Sequence, residues 1–583
     1  YKIPQGVDEY TTLCLNCCTK PGHVPSESST VQLTPFEYGN RWKKCRERTS
    51  SSPSGRHFGH YKCLHELPLT MLSIFSMMSN IPSRTGYSPV RWQRAVDVLL
   101  LKNNDDHRVH RTRPIPLLEA DCNDTFKQLA HQANTKAEQY NLLAPEQYGS
   151  RNNTAPIHLA SVKRITCDIS RQSKTPIAIC SIDAKSCYDR IIHVAAFLAL
   201  RRLGISKPMI VSMILTIQKM SHHVRTSFGD SIDTYGGTKW IIPPHGSIQG
   251  NGASPLLWAA ISAILFKCLR QKCNGATFTS PITKETYTTM GFAFVDDTDL
   301  ITTCPNSTRN IPPLVTSMQH SLDTWQGTLH TFGRALDWSD KVKCYWYCIN
   351  YIWNRHGKWS YAPRSNNNSI TMNDENNNRQ QVYQCATDEA RRTLGVRLAP
   401  DGNMLSQIEH MISQTTEFAT KLKRSNLSGY DALLAINTRI MRTLIYPLPT
   451  LTLTQEDCTR IMKPLLHSVL GKAKIVRTIK RAVLYGPQLR QGFGLTNLYV
   501  HQGCSQIVQL IQFFDTNTEL GKVHNITLQQ LMMELGVPGI PFQQDYKILK
   551  HCATDSLIKH VWKFCHEHEI TLHKSMAHFT PQR

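Results

Sequence analysis

Two adjacent carboxylates, Asp296 and Asp297, are the residues whose type and spacing most directly suggest chemistry. They stand between two short runs rich in apolar and β-branched residues, 291–295 and 300–302, and this pattern predicts a β-hairpin with the acid pair at its tip. Two neighbouring negative charges repel each other, and a divalent metal ion, which prefers oxygen ligands, is an effective counter-charge. The alternative is a solvated Asp-Asp turn, because acidic residues are common in turns.

A third acid, Asp183, follows the buried-type apolar run 177–182. We expect this run to be a core strand, followed by a helix with Ile191, Val194 and Leu198 on one face and Gly204 beyond its end. The carboxyl end of a core strand is a frequent position for a functional acid.

A glycine-rich segment, 243–252, precedes the apolar helix pattern that begins near Ser254. We interpret Ser254 as the N-cap and Pro255 as a first-turn residue. Gln249 and Gly250 lie in the loop itself, where glycine lets a flat group approach the backbone closely.

The chain of 583 residues carries a formal net charge of +23, which indicates a polyanionic partner, nucleic acid before membrane. Lys102 and Arg113 flank a polar loop between two apolar runs and would suit a hairpin that grips a triphosphate. Further cations are candidates for phosphate contacts, with a solvated surface as the alternative: Arg56, Lys62, Arg151, Lys472, Lys474, Arg477, Lys480 and Arg481.

Taken in order, these pieces resemble the reverse transcriptases, the RNA-directed DNA polymerases, and most closely their non-LTR retrotransposon branch. The matching segments are SSSPSGRHFGHYK, VDVLLLKNN with RTRPIPLL, PEQYGSRNN, the strand ending at Asp183, QGNGASP, FVDD, and a downstream Lys343. The resemblance covers roughly residues 45 to 400. Ser150 and Val295 depart from the residues usual in that branch.

The resemblance implies a role for each matched residue. Asp183, Asp296 and Asp297 would hold two Mg²⁺ ions, with Mn²⁺ as a substitute, for transfer of a nucleotide to a primer 3′-hydroxyl. Lys343 would protonate or neutralise the leaving group, and Tyr188 would lie under the incoming sugar and favour deoxynucleotides. Lys102 and Arg113 would hold the triphosphate, Gln249 and Gly250 the template and nucleotide, and Leu394 and Gly395 the primer.

The implied fold class is α+β: a right-hand polymerase with fingers and palm, made of an antiparallel sheet plus helices, and a helical thumb, with N- and C-terminal extensions. We expect an N-terminal extension with an upstream fingers motif at 1–85 and fingers and palm at 86–398. Residues 364–381 are Asn-rich and predict a solvated insertion. The thumb is expected at 399–500 and a C-terminal helical region at 501–583.

The expected partners are an RNA template, an RNA/DNA primer–template duplex and dNTPs. An inactive nucleic-acid-binding protein of the same descent and an RNA-dependent RNA polymerase remain the alternatives. No apolar run is long enough to span a bilayer and no secretion signal is visible, so we expect a nuclear or cytoplasmic protein without a membrane partner. A chain that begins at Tyr1 is compatible with a piece of a longer protein.

Overall fold

The computed structural model describes most of the chain. Outside the described residues lie 1–2, 4, 26, 48–52, 103–104, 185–187, 238–244, 305–310, 334–335, 337–342, 365–367, 375, 515 and 574–583. Parts of the predicted upstream motif and of the glycine-rich segment fall among them.

The N-terminal part, up to residue 85, is helical: α1 (Glu9–Cys17), α2 (Pro35–Lys43), α3 (Phe58–Lys62) and α4 (Leu69–Thr85). Helix α2 begins where the sequence supplies both a cap and a first-turn proline, since Thr34 and Glu37 form a capping box around Pro35.

The central part is mixed α and β, with two five-stranded sheets. Its elements up to the acidic hairpin are β1 (Arg94–Leu101), β2 (Thr112–Leu117), α5 (Ala120–Gln139), α6 (Pro156–Ser173), β3 (Ile177–Asp183), α7 (His193–Arg202), α8 (Lys207–Gln218), β4 (Ser221–Thr226), β5 (Gly229–Asp230), β6 (Tyr235–Gly236), α9 (Ser254–Lys272), β7 (Ala276–Thr279), β8 (Thr286–Thr289), β9 (Gly291–Phe294) and β10 (Asp297–Thr303).

The elements that follow the acidic hairpin are α10 (Ile311–Thr331), β11 (Tyr345–Ile349), β12 (Tyr351–Trp353), β13 (Trp359–Tyr361), β14 (Thr371–Asn373), β15 (Arg379–Gln381), β16 (Tyr383–Cys385), β17 (Arg391–Thr393) and β18 (Val396–Leu398). One sheet has the strand order β2-β1-β4-β5, with β6 also on β4, and the other has the order β16-β11-β3-β10-β9.

Strand β3 lies at the centre of the second sheet and is buried on both faces. Ile177 and Ile179 pack with residues of α6 such as Val162, whereas Ala178, Cys180 and Ile182 pack into the core that contains α9 and α10. Successive side chains of a strand point to opposite faces, so a strand covered on both sides reads as a continuous apolar run. The predicted core strand ending at Asp183 is confirmed.

The C-terminal part is helical: α11 (Leu405–Arg424), α12 (Gly429–Ala435), a π-helical turn (Ile436–Ile440), α13 (Met441–Ile445), α14 (Gln455–Lys472), α15 (Arg481–Tyr485), α16 (Leu498–Phe513), α17 (Glu519–Leu535), α18 (Tyr546–Leu549) and α19 (Leu557–Glu567). No helix in the described ranges is long and apolar enough to cross a membrane. These helices, together with the two sheets of the central part, confirm the predicted mixed α+β class.

Three local predictions need correction. Val194 is 71% exposed, because α7 buries His193, Ala196 and Ala199 instead. Ser254 is the first residue of α9 rather than its N-cap, and its hydroxyl donates to the carbonyl oxygens of Ser247 (2.6 Å) and Ile248 (2.9 Å).

The third correction concerns the Asn-rich insertion, whose described residues form the β14–β15 hairpin. Ile370, Met372 and Val382 are buried in the central core. The Gln319 side chain on α10 exchanges two hydrogen bonds of 2.8 Å with the backbone of Thr371. Polar composition hid this packing, because only alternate residues of the hairpin face the protein.

Helix α6 is buried because the C-terminal helices cover it. Asp168 is fully buried and accepts the Leu557 backbone N–H at 2.8 Å, at the start of α19. The same carboxylate pairs with Arg164 and Arg171. A buried charge remains favourable only when it is paired, so this cluster joins the C-terminal region to α6.

We therefore expect Asp168→Asn to lower the free energy of unfolding by about 3–5 kcal/mol, because two buried guanidinium groups lose their counter-charge. Thermal unfolding followed by calorimetry measures this. The matched control is Asp555→Asn, since that side chain is 93% exposed, and its effect should stay within about 0.5 kcal/mol. Equal effects of the two substitutions would contradict the assignment.

Candidate active site

The acidic hairpin, β9–β10, brings two of the predicted acids together. Asp297, at the start of β10, lies directly opposite Asp183 at the end of β3, and Phe294 lies opposite Asp297 in β9. Residues directly opposite in an antiparallel pair have Cβ atoms roughly 4.5–5.5 Å apart. Asp296 is half-buried and occupies the two-residue turn with Val295. The predicted hairpin with its acids at the tip is confirmed.

The carboxylates at this position are electrostatically crowded. Desolvation comes first and the charges of Asp296, Asp183 and Asp299 follow, and together they raise the pKa of Asp297 to about 6. Lys343, placed by the start of β11, provides a counter-charge, because its Nζ lies 2.7 Å from Oδ2 of Asp183. Lys343, which the resemblance placed near the acids, therefore contacts one of them, Asp183.

The turn between the two strands has an unfavourable backbone conformation. Val295 has a φ of +56°, which is rare for a β-branched residue and is usually left to glycine at this hairpin position. Gln147 offsets this cost through two hydrogen bonds to the Val295 backbone: its Oε1 accepts the N–H at 2.8 Å and its Nε2 donates to the carbonyl at 3.1 Å. The indole N–H of Trp258, on α9, donates to the same carbonyl.

Gly149 is part of the same support. A Cβ at this residue would lie 2.5 Å from the Val295 nitrogen, so only glycine fits. The segment 146–149 runs beside β9, where the Tyr148 N–H donates to the Ala293 carbonyl at 2.8 Å. Residues 146–149 belong to PEQYGSRNN, one of the segments that resemble reverse transcriptases, and they therefore support the acidic turn.

A cavity of about 220 Å³ opens beside the acids and is called the site cavity below. Its lining includes acidic, basic and apolar side chains in or directly beside β3, β9, β10, β11 and β17: Asp183, Phe292, Asp297, Asp299, Lys343, Tyr345, Arg391, Arg392, Thr393 and Leu394. Leu394 and Gly395 form the turn between β17 and β18, with φ of +47° and +92°. The predicted hairpin at these two residues is present and reaches the acids.

The other predicted substrate residues lie around the first sheet. Lys102 and Arg113 are exposed at the loop end of the β1–β2 hairpin, where Leu100 pairs with Arg113. Gly250, with φ of +91°, adjoins β2, since a Cβ there would lie 3.2 Å from the Pro116 carbonyl oxygen. Gln249 precedes it and is half-buried.

Tyr188 follows β3, the strand that ends at Asp183, and it contacts the glycine-rich loop. Its carbonyl accepts the Ser247 N–H at 2.7 Å, and its half-buried ring packs against the central core. The described part of the glycine-rich loop therefore lies between the segment after Asp183 and the β1–β2 hairpin.

The basic residues predicted to contact nucleic acid differ in their exposure and in their partners within the protein. Arg151 donates to Glu138 (2.7 and 2.6 Å) and to the Ala144 carbonyl (3.0 Å), and Lys62 pairs with Glu47 at 3.1 Å. Lys472 donates to the Ser425 carbonyl at 2.6 Å. The exposed cations are Arg56, Lys474, Arg477, Lys480 and Arg481, and the last four lie in and just after the connection between α14 and α15, not on one helix face.

Sequence reasoning missed three polar residues of this site: Lys163 on α6, Asp299 on β10 and Thr393 on β17. Lys163 and Asp299 form a buried ion pair of 2.7 Å between residues 136 positions apart. The sequence signal for Lys163 was weak, because α6 carries other charged residues such as Arg164 and Asp168.

Carboxylate oxygens are the ligands that Mg²⁺ prefers, and Mg²⁺ is commonly held by one or two carboxylates with water and substrate phosphates. Within the described part of the chain, no group of three or more His, Cys, Asp and Glu side chains is arranged to hold a metal ion. The facing pair Asp183 and Asp297 nevertheless fits this mode of binding, which does not require a complete protein cage.

No family model matches the chain, and a search of curated proteins finds no match either.

We expect Gln147→Leu to loosen the acidic turn, because the Val295 N–H loses its partner and the carbonyl loses one of two. An unsatisfied buried polar group costs about 1–3 kcal/mol. Hydrogen exchange followed by mass spectrometry should show faster exchange in peptides covering 291–303. Gln139→Leu, at an exposed residue of α5, is the matched control and should leave these peptides unchanged.

Asp297→Asn should raise the thermal stability of the metal-free protein at pH 7–8. The raised pKa of Asp297 means that the folded state disfavours its ionised form, so stability is lost as pH rises from about 4 through 6 and above. Because solvent screens this group, the gain should be below about 1 kcal/mol. The difference between wild type and variant should vanish near pH 4; a constant difference at all pH values would contradict this explanation.

Proposed function

We propose that this chain is a template-directed DNA polymerase of the reverse transcriptase class, which extends a primer 3′-hydroxyl with dNTPs on an RNA template. The single observation that carries the proposal is the register of β3 against β10, which sets Asp183 opposite Asp297 beside Lys343. The right-hand arrangement of fingers, palm and thumb is part of the proposal.

The acids would hold Mg²⁺, which supplies activation of the 3′-hydroxyl and stabilisation of the leaving pyrophosphate. Asp183 and Asp297 face each other, and Asp296 lies in the adjoining turn. Lys343 would release Asp183 when a stronger counter-charge binds and would then be placed to neutralise the leaving group. Its long stem and exposed position permit this exchange.

Nucleotide binding is proposed on the side of the site that faces the first sheet. Lys102 and Arg113 would hold the triphosphate from the loop end of the β1–β2 hairpin. Gln249 and Gly250 would lie against the nucleotide and template, since this loop already contacts β2. The Tyr188 ring would restrict the sugar to deoxyribose.

The nucleic acid is proposed to follow exposed positive charge. A groove of about 650 Å³ is lined by Tyr430, Leu433, Phe493 and the two chain neighbours of Lys474. The exposed cations Arg477, Lys480 and Arg481 follow Lys474 in the chain. This combination of cations and apolar surface suits a duplex backbone with its sugars, and binding should weaken steeply with added salt.

The test is a primer-extension assay with a defined RNA template, a DNA primer, Mg²⁺ and dNTPs. Asp183→Asn should reduce extension by roughly a thousandfold or more, because charge stabilisation through metal ions is worth several kcal/mol. Template affinity at fixed salt should stay within about twofold, since the phosphate-contacting cations are unchanged. Asp555→Asn is the matched control and should extend normally.

The assay also separates the rival functions. A wild-type protein that binds the template but makes no product is an inactive nucleic-acid-binding protein. A wild-type protein that incorporates NTPs as readily as dNTPs is an RNA polymerase, and the proposed role of Tyr188 is then wrong.

A further inference from the structure

A buried lysine beneath the acids connects three separate elements. Lys163 is fixed in α6, and its Nζ donates to Oδ2 of Asp299 on β10 at 2.7 Å and to the Thr393 hydroxyl on β17 at 3.2 Å. The side chains of Lys163 and Asp299 are only 8% and 11% exposed. We propose that Lys163 is a positioning residue that fixes the β17–β18 hairpin relative to the acidic hairpin. This inference rests on the polymerase function proposed above.

The two hairpins need such a link because they are not in the same sheet. Strands β17 and β18 form a two-stranded sheet of their own, whereas β10 belongs to the five-stranded sheet. Asp299 is two residues beyond Asp297, and Thr393 directly precedes the Leu394–Gly395 turn. Lys163 therefore sets the separation of the two walls of the site cavity.

A second contact reaches the same turn from the helical C-terminal part. The Tyr446 hydroxyl, just after α13, donates to the Leu394 carbonyl at 2.7 Å. Two contacts thus hold the β17–β18 turn: Lys163 binds Thr393 just before the turn, and Tyr446 binds the carbonyl of Leu394 within it. Of these two contacts, only the one through Thr393 and Lys163 leads to β10, the strand that begins at Asp297.

A buried ion pair alone is weak support for a functional role, because many such pairs are only structural. The Thr393 contact provides the distinction. Thr393→Val keeps the shape and the Lys163–Asp299 pair but removes the hydroxyl that joins the hairpin to them. Thr393→Ser keeps the hydroxyl. A purely structural ion pair predicts equal activity for these two variants.

In the primer-extension assay at saturating primer–template, Thr393→Val should lower kcat about three- to tenfold, the equivalent of one lost hydrogen bond in the reacting geometry. Thr393→Ser should restore most of the wild-type kcat. The KM for dNTP should stay within about twofold in both, since Lys102 and Arg113 lie on the other sheet and their effects should be independent. Melting temperatures should match that of the wild type.

The second variant is Lys163→Met/Asp299→Asn, which removes both charges and leaves no unpaired ion. It should fold with a melting temperature near that of the wild type and yet lose about ten- to a hundredfold in kcat, because small misplacements of reacting groups have effects of this size. The matched control is Arg41→Met/Asp124→Asn, a pair with both side chains 8% exposed in the N-terminal half of the chain, which should retain kcat.

The outcomes separate the two proposals. A wild type without any extension activity overturns the proposed function, and this inference with it. An active wild type whose Thr393→Val and double variants keep the wild-type kcat overturns the positioning role alone. Loss of kcat in Thr393→Val with recovery in Thr393→Ser supports it.

Discussion

Repulsion between carboxylates at one end of a buried sheet is the constraint on which the rest of this structure depends. Asp297 lies directly opposite Asp183 of the neighbouring strand, and the charges of Asp183, Asp296 and Asp299 all raise the pKa of Asp297. The protein supplies two lysines for this negative charge. Lys163 is fully enclosed and pairs with Asp299, whereas Lys343 is partly exposed and pairs with Asp183. The buried Lys163–Asp299 pair is part of the folded structure, whereas exchange of the more exposed Lys343 belongs to the function proposed above.

The backbone beneath the acids carries a second cost, because Val295 is held in a conformation that suits glycine. Such strain persists only where the surroundings determine the geometry, and here the Gln147 amide and the Trp258 indole do so. A glycine would remove the strain but would leave the turn free to adopt other conformations. The strained turn therefore costs some stability but fixes the directions of Asp296 and Asp297. A site with converging carboxylates requires such fixed directions.

Much of this site could be predicted from the sequence, since its main features are local. The short runs on either side of Asp296 and Asp297 and the apolar run before Asp183 are patterns within a few residues. Leu394 and Gly395, in contrast, were indicated only by the resemblance to reverse transcriptases. Lys163 could not be predicted in the same way, because its partner is 136 residues away and helix periodicity does not show which partner a buried lysine has. The packing of the Asn-rich hairpin was missed for a related reason: Gln319 satisfies its backbone from a distant helix.

The C-terminal helices support the helix that carries Lys163, although the sequence predicted only that this region is helical. Helix α6, which carries Lys163, is buried along most of its length. Helix α17 packs against it, and the Leu557 N–H at the start of α19 donates to its Asp168. The Gln172 side chain on α6 and the Thr527 hydroxyl on α17 are joined by a hydrogen bond of 2.7 Å, and the Asp168 cluster anchors the start of α19. The C-terminal helices therefore contact α6, which carries Lys163, and they also reach the turn at Leu394 through the Tyr446 hydroxyl.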